Sequence, residues 1–192
     1  MLKRASLALA ISIAATLPAF AHLDPGEHGS FAAGFSHPLF GLDHILAMIA
    51  VGLWAAQQGG RAVWLVPGAF VGTMAVGFAL AIAGVPLPFV EPVILASVIF
   101  IGIAIALALP IPTPAVAAMV GFFAFFHGHA HGGELGEAGA WEFAIGFIIA
   151  TALLHAAGIA AGLLLSRVSG KLLTRIAGAA TALGGVWLAL GA

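Results

Sequence analysis

Long apolar segments alternate with short polar links along most of this chain. Six segments each contain close to the roughly 20 residues that cross a bilayer as a helix. They cover residues 33–56, 62–83, 90–109, 114–131, 140–166 and 172–191. Because the links are short, we expect sequential helices to pack as antiparallel neighbours. The pattern predicts an all-α, polytopic membrane protein with six transmembrane helices, whose two halves of three spans would form a 3+3 inverted repeat.

The first residues have the features of a secretory signal peptide. Lys3 and Arg4 form the charged start, the apolar run after them is too short to span comfortably, and Ala19-Phe20-Ala21 has the form of a cleavage site. An uncleaved anchor is the alternative. The sequence therefore predicts a cleaved signal peptide over 1–21, a polar periplasmic tail over 22–32 and a transmembrane domain over 33–192.

Composition supports the membrane assignment and excludes several functions. Of the 192 residues, 62% are hydrophobic and 7% are charged, which is far outside the range of soluble domains. The net charge of −1 excludes the usual basic surface for nucleic acid. The chain has no cysteine, so it has no thiolate metal site or thiol nucleophile. No Walker-type nucleotide loop or nucleophile–base arrangement is present, and we expect no enzymatic activity.

The basic residues predict the orientation in the bacterial inner membrane. Lys and Arg are enriched in cytoplasmic loops. If the mature N-terminus is periplasmic, the basic residues of the mature chain all lie on the cytoplasmic side: Arg61, Arg167, Lys171 and Arg175. Six spans then place the C-terminus in the periplasm as well.

Tryptophan and glycine positions add packing predictions. An aromatic belt is expected at both membrane interfaces, with Trp54 and Trp64 at the inner one and Trp141 and Trp187 at the outer one. Two small-xxx-small pairs predict close contact between helices: Gly68 with Gly72, and Gly158 with Gly162.

Ionisable residues interrupt the first apolar segment, in the stretch HPLFGLDH over residues 37–44. A charged Asp near the bilayer centre costs about 2.5–3.5 kcal/mol, so such residues are functional candidates. On a continuous helix His37 and His44 share one face, and Gly41 between them leaves room for an ion. The Asp43 side chain points about 100° away from His44, so it would contact another helix or support a metal ligand without binding the ion itself. Pro38 fits a first helical turn or a kink. The alternative is a polar patch satisfied by neighbouring helices.

A second polar group ends the fourth segment, at the outer side. On a helix, His127, His131 and Glu134 share one face, and His129 points elsewhere, towards solvent. A bare His-x-His-x-His could instead be a surface metal scavenger. Glu91 adds a carboxylate at the outer start of the third segment.

The charge balance of these residues favours a cation. No Lys or Arg lies near Asp43, so Asp43 and Glu91 must be protonated, hydrogen-bonded to histidine or neutralised by a metal. Imidazole and carboxylate together suit Ni²⁺, Co²⁺ or Zn²⁺, and affinity alone does not choose among them. Additional candidate ligands are His22, His28, His129 and His155. A lone intramembrane histidine such as His155 is more often a hydrogen-bond partner between helices than a ligand.

The two motifs together resemble those of the HupE/UreJ family of nickel permeases. The motifs are His37-Pro-x-x-Gly41-x-Asp43-His44 and Phe126-His127-Gly-x-Ala130-His131-Gly-x-Glu134. The resemblance covers essentially the whole mature chain and implies uptake of Ni²⁺, or Co²⁺ in some relatives, for hydrogenase or urease. The functional residues that it implies are His37, Asp43, His44, His127, His131 and Glu134, with Phe70 and Glu91 as single-residue matches.

Three functions remain compatible with these residues. The first is a metal permease, for which Ni²⁺ is the substrate, the bilayer and the ion are the partners, and no prosthetic group, nucleotide or nucleic acid is needed. The second is a membrane accessory protein that binds nickel for enzyme maturation without transporting it. The third is a proton-coupled carrier whose Asp, Glu and His side chains relay protons for another substrate.

Overall fold

The structure is a computed structural model that describes residues 30–133, 135 and 139–191. Its helices in chain order are α1 (Ser30–Phe40), α2 (Leu42–Gln58), α3 (Ala62–Ile82), α4 (Val90–Leu107), α5 (Thr113–Gly133), α6 (Ala140–Ser169) and α7 (Leu172–Ala189). No strand occurs in this part of the chain, which confirms the all-α prediction. The predicted signal peptide and most of the polar tail lie outside the described residues.

Four of these helices are long and apolar enough to cross a membrane: α3, α4, α6 and α7. A fifth candidate span is formed by α1 and α2 together, which are a bent pair. Helix α5 has 21 residues, but its three histidines lower its hydropathy and it is not among the candidates. The described residues thus form a multi-pass membrane protein with four or five candidate spans, where the sequence predicts six.

The predicted first span is a broken helix. Helices α1 and α2 meet at Gly41 with a bend of 84°, so the prediction of one continuous helix through His37 and His44 is wrong. Pro38 explains part of the break, because it lacks the N–H that would continue the helical hydrogen bonds. Gly41 completes it with an extended backbone, at φ −84° and ψ 116°.

The most extensive helix contacts join α3 with α5, α2 with α6, and α4 with α7. The sequential pairs α2–α3, α4–α5 and α6–α7 also contact each other, as predicted, but less extensively. Glycines allow the most extensive contacts. A methyl group added at Gly128 would meet the Met74 carbonyl of α3, and one added at Gly52 would meet the His155 carbonyl of α6.

Glycine contacts also give the relative direction of the helices. In α2, Gly52 lies against Gly158 of α6, and Ala56, further along α2, lies against Gly162. Residue numbers therefore rise in the same direction along both helices, so α2 and α6 are parallel. The same comparison makes α3 and α5 parallel and α4 and α7 antiparallel.

The Lys and Arg side chains in the described residues lie at one end of the bundle, which we call the basic end. It carries Arg61, Arg167, Lys171 and Arg175. Arg175 Nε donates a hydrogen bond to the Ala106 carbonyl at the C-terminal end of α4, at 2.7 Å. The opposite end, where α1 and α2 meet and α5 ends, is called the histidine end.

Two of the packing predictions are wrong. Trp54 is fully buried rather than at an interface, because α4 covers that face of α2. Gly68 and Gly72 lie on an open face of α3, where no atom of the described residues comes within 4 Å of an added methyl group. Gly158 and Gly162 do face α2 closely, as the sequence predicted.

Candidate metal site

Four histidine rings meet at the histidine end, and we call them the four-histidine cluster: His37 of α1, His44 of α2, and His127 and His131 of α5. The His131 ring is central, with its centroid 4.6 Å from that of His37 and 4.5 Å from that of His44. The His44 ring lies 5.5 Å from His127 and 6.3 Å from His37. The two sequence motifs therefore form a single site, although His44 and His131 are 87 residues apart.

Asp43 acts on the cluster through its neighbour in sequence. The Asp43 carboxylate accepts a hydrogen bond from His44 Nδ1, at 2.8 Å. The proton on Nδ1 leaves the lone pair of His44 on Nε2, and a carboxylate in this position fixes the tautomer and the orientation of an imidazole that ligates a metal. Asp43 also lies in the first turn of α2, where the helix dipole favours a carboxylate.

Gly41 is required for this pair. A methyl group added at Gly41 would lie 2.7 Å from His44 Nδ1 and 2.9 Å from Asp43 Oδ1. Such distances are shorter than normal contacts, so a larger residue would separate the carboxylate from the imidazole. The glycine in the first motif thus allows both the helix break and the hydrogen bond.

A hydrogen bond joins the two motifs. His131 Nε2 and His44 Nε2 lie 2.7 Å apart, and His131 is the donor because His44 carries its proton on Nδ1. Two imidazole nitrogens on one tetrahedral metal ion, each at 2.0–2.1 Å, are about 3.4 Å apart. A shared ion would therefore replace this hydrogen bond and push the rings apart. Consistently, no group of three or more His, Asp or Glu side chains within the described residues is already arranged around a metal position.

His127 has the orientation of a metal ligand. Its Nδ1 donates to the Phe123 carbonyl at 3.0 Å, which leaves the lone pair on Nε2. The side chain is fully buried, and Nε2 has no hydrogen-bond partner among the residues that the structure describes. Because a buried polar atom without a partner costs about 1–3 kcal/mol, this nitrogen is available to a bound ion.

The exposed fraction of the side chain falls from Asp43 and His44 to His131 and His127. The side chains of Asp43 and His44 are 22% and 11% exposed, whereas His131 and His127 are 1% and 0% exposed. The cluster is therefore open beside Asp43 and closed beyond His127. Helices α1 and α5 both end beside it, and the C-terminal end of a helix favours a cation.

The other predicted ligands lie elsewhere or outside the described residues. Glu91 is exposed in the first turn of α4 and lines a shallow groove with Ala189 at the end of α7. His129 Nε2 donates to the Val85 carbonyl at 2.7 Å, so this ring points away from the cluster. Three further predicted ligands lie outside the described residues: His22, His28 and Glu134.

Three phenylalanine side chains enclose the site, and the sequence assigned only Phe70 of these to it. The Phe147 ring lies 4.3 Å from His131, and the Phe143 ring lies 5.9 Å from His37. Their spacing of four places both on one face of α6, but no sequence signal separates them from the other phenylalanines. Phe70, a single-residue family match, lies 5.5 Å from His127 and 4.9 Å from His155.

The fold and the site define a multi-pass helical membrane protein with a buried histidine cluster coupled to one aspartate. Residues 9–188 match the family model described as HupE / UreJ protein. The chain is also 47% identical over 180 residues to Protein HupE of Rhizobium leguminosarum bv. viciae, covering 93% of this chain and 94% of that protein. The chain belongs to the HupE/UreJ family, as its motifs predicted. No solved structure matches it significantly.

Replacing Asp43 by asparagine is expected to weaken metal binding. Asp43→Asn keeps the size of the side chain but removes the charge that holds the proton on His44 Nδ1. We expect the affinity for Ni²⁺ to fall by about 10–100-fold, as measured by titration of the purified protein. Glu142→Gln is the control, because Glu142 is an exposed carboxylate at the start of α6. An equal loss of affinity in both variants would show that Asp43 has no special role.

Proposed function

We propose that the protein is a permease that imports Ni²⁺, with Co²⁺ as an alternative substrate, across the bacterial inner membrane. The metal would supply nickel enzymes such as hydrogenase or urease. The observation that carries this proposal is the four-histidine cluster, which brings imidazole lone pairs and a carboxylate together inside an apolar helix bundle. These ligands suit borderline divalent ions, and membership of the HupE/UreJ family supports the same assignment.

The geometry suggests how an ion would be taken up. Asp43, His44 and His37 are the partly exposed members of the site, so the ion would meet them first. It would then replace the hydrogen bond between His44 and His131 with two metal–nitrogen bonds, once the proton on His131 Nε2 has moved to Nδ1. The carboxylate of Asp43 offsets one of the two charges of the ion. Conduction requires a site that binds the ion firmly enough to select it and weakly enough to release it, and neutral imidazoles with one carboxylate would serve this purpose.

Six spans with a periplasmic histidine end best explain the arrangement. The five candidate spans become six in this proposal when α5, the fourth in chain order, is counted as well. Helix α5 has 21 residues and packs in parallel with the candidate span α3. The basic end would face the cytoplasm by the positive-inside rule. Both ends of the mature chain, released by cleavage of residues 1–21, would then be periplasmic.

The pairing of helices supports a 3+3 inverted repeat. In such a repeat, the span formed by α1 and α2 is equivalent to α5, α3 is equivalent to α6, and α4 is equivalent to α7. Exchanging equivalent helices converts the pair α2–α6 into the pair α5–α3, and it leaves the pair α4–α7 unchanged. Both exchanged pairs are parallel and meet at glycines. Binding sites at the interface of such halves are a common arrangement in secondary transporters, and the cluster joins α1 and α2 to α5.

Uptake of radiolabelled Ni²⁺ into sealed proteoliposomes tests the proposed function. Saturable accumulation that is released by a metal ionophore and inhibited by Co²⁺ would support a permease. Binding without accumulation would support the alternative, an accessory protein that holds nickel for enzyme maturation. Proton movement that does not depend on added metal would favour a proton-coupled carrier for another substrate.

Uptake is expected to fall in acid. An imidazole binds a metal only when it is neutral, and an unperturbed imidazole titrates near pH 6.5, so protons compete with the ion. We expect uptake to be fastest near about pH 8 and to fall progressively in acid. Initial rates would be measured with the same pH on both sides of the membrane. A rate that stays constant down to about pH 5 would contradict competition between protons and the ion for the histidines.

A further inference from the structure

A second group of polar side chains lies deeper in the bundle than the four-histidine cluster. It consists of Met74 of α3 with Thr151 and His155 of α6, and we call it the deep layer. Thr151 and His155 are one helical turn apart, and Thr151 Oγ1 donates a hydrogen bond to Met74 Sδ at 3.8 Å. Each of the three is at most 1% exposed, so the layer is sealed from both ends of the bundle.

Packing against α2 gives the depth of this layer. The carbonyl of His155 contacts Gly52, which follows His44 by eight residues along α2. Eight residues of α-helix correspond to about 12 Å. Along the axis of α2, the backbone of His155 therefore lies about 12 Å from His44 towards the basic end, within a hydrocarbon core of about 30 Å.

The His155 side chain has no hydrogen-bond partner in the described part of the chain for either ring nitrogen. A neutral imidazole has one donor and one acceptor, and each buried group without a partner costs about 1–3 kcal/mol. Packing alone does not require a histidine here, because the contact with the Phe70 ring at 4.9 Å would suit an apolar side chain. A ligand that binds transiently to His155 would explain why an imidazole without a hydrogen-bond partner is buried here.

Phe70 connects the two levels. It is fully buried, and its ring contacts both His127, the deepest ring of the cluster, and His155. Phe70 is also one turn from Met74 on α3. An ion that leaves His127 towards the basic end meets this phenyl ring, which must rotate before the ion reaches His155.

We propose that the deep layer is a second binding station for the transported divalent metal ion. His155 is its principal ligand, Met74 Sδ and Thr151 Oγ1 are auxiliary ligands, and Phe70 is the movable barrier between the two stations. This inference rests on the proposed permease function. An imidazole with a thioether suits a borderline or soft ion such as Ni²⁺ or Co²⁺ rather than Mg²⁺. Two moderate sites in series also allow stepwise transfer.

The test combines metal binding with transport on the full chain in lipid nanodiscs and proteoliposomes. We expect the parent protein to bind two equivalents of Co²⁺. His155→Gln is expected to retain the first equivalent with unchanged affinity, to lose the second, and to take up Ni²⁺ at least about 10-fold more slowly. His155→Phe, which keeps the packing against Phe70, is expected to show the same losses. His129→Gln is the control, because the His129 ring binds the Val85 carbonyl outside both stations.

Met74→Leu removes the sulfur at nearly constant volume. We expect it to weaken the second Co²⁺ equivalent while leaving the first unchanged. Met48→Leu is the matched control, because Met48 is an equally buried methionine of α2. Retention of both equivalents in Met74→Leu would remove the sulfur from the ligand set.

The outcomes separate this inference from the function on which it rests. If His155→Gln transports Ni²⁺ at the parent rate and binds two equivalents, the second station is wrong and the permease stands. If a folded His155→Gln loses both equivalents, the two stations are not separate, and the inference is also overturned. If the parent chain does not accumulate Ni²⁺, the proposed function itself fails.

Discussion

Replacing His131 by glutamine is expected to abolish nickel uptake, with a loss of at least about 100-fold. His131 is the centre of the four-histidine cluster, since its ring contacts those of His37 and His44 and its Nε2 is hydrogen-bonded to His44. Glutamine has a similar volume and remains polar, but it has no imidazole lone pair for the ion. Initial rates of radiolabelled Ni²⁺ uptake, in cells with equal amounts of each variant in the membrane, measure the effect.

His129→Gln provides the matched control for this substitution. It makes the same chemical change two residues away on the same helix, but the His129 ring points to the Val85 carbonyl instead of the cluster. We expect this variant to retain most of the uptake. Parental rates for His131→Gln, or equal losses in the two variants, would remove His131 from the ion path.

Replacing Gly128 by alanine is expected to prevent stable packing of α5 against α3. The added methyl group would meet the Met74 carbonyl group, with the carbonyl carbon at 2.7 Å and the Cα at 2.9 Å. These are backbone atoms, so relief requires the two helices to separate. Overpacking costs about 1–3 kcal/mol even when side chains can adjust, and we expect a loss of stability at or above the top of that range. Thermal unfolding of the purified protein in detergent measures the loss.

Gly133→Ala is the control in the same helix. No atom of the described residues lies within 4 Å of a methyl group added there, so the added group meets no other helix in that part of the chain. We expect this variant to be as stable as the parent. Equal unfolding temperatures for the two alanine variants would mean that α3 and α5 do not approach each other as closely as the structure has them.

The helices themselves could be predicted from the sequence, because the lengths of apolar runs in a membrane protein are set by the bilayer. The predicted segments 62–83 and 90–109 correspond closely to α3 and α4. The pairing of helices could not be predicted in this way. Short links fix which helix ends are close, but they do not choose the neighbours. Contacts at individual glycines, such as Gly52 and Gly128, make that choice.

The two motifs of the candidate site could be recognised because ionisable residues are rare in apolar segments. Their geometry could not, because the regular spacing of His37 and His44 suggested an unbroken helix. Pro38 was the local signal for a kink, but an 84° bend also depends on the extended backbone of Gly41. Phe147 was missed because an aromatic residue that lines a site has the same sequence pattern as one that packs in a core.

X-ray absorption at the nickel edge tests most directly whether the four-histidine cluster binds the transported metal. The sample is the purified protein loaded with one equivalent of Ni²⁺. We predict a first coordination shell with at least two imidazole nitrogens at about 2.0–2.1 Å, whose imidazole signal falls in His131→Gln and is unchanged in His129→Gln. A shell made only of oxygen ligands, or identical spectra for the parent and His131→Gln, would contradict a metal site in the cluster.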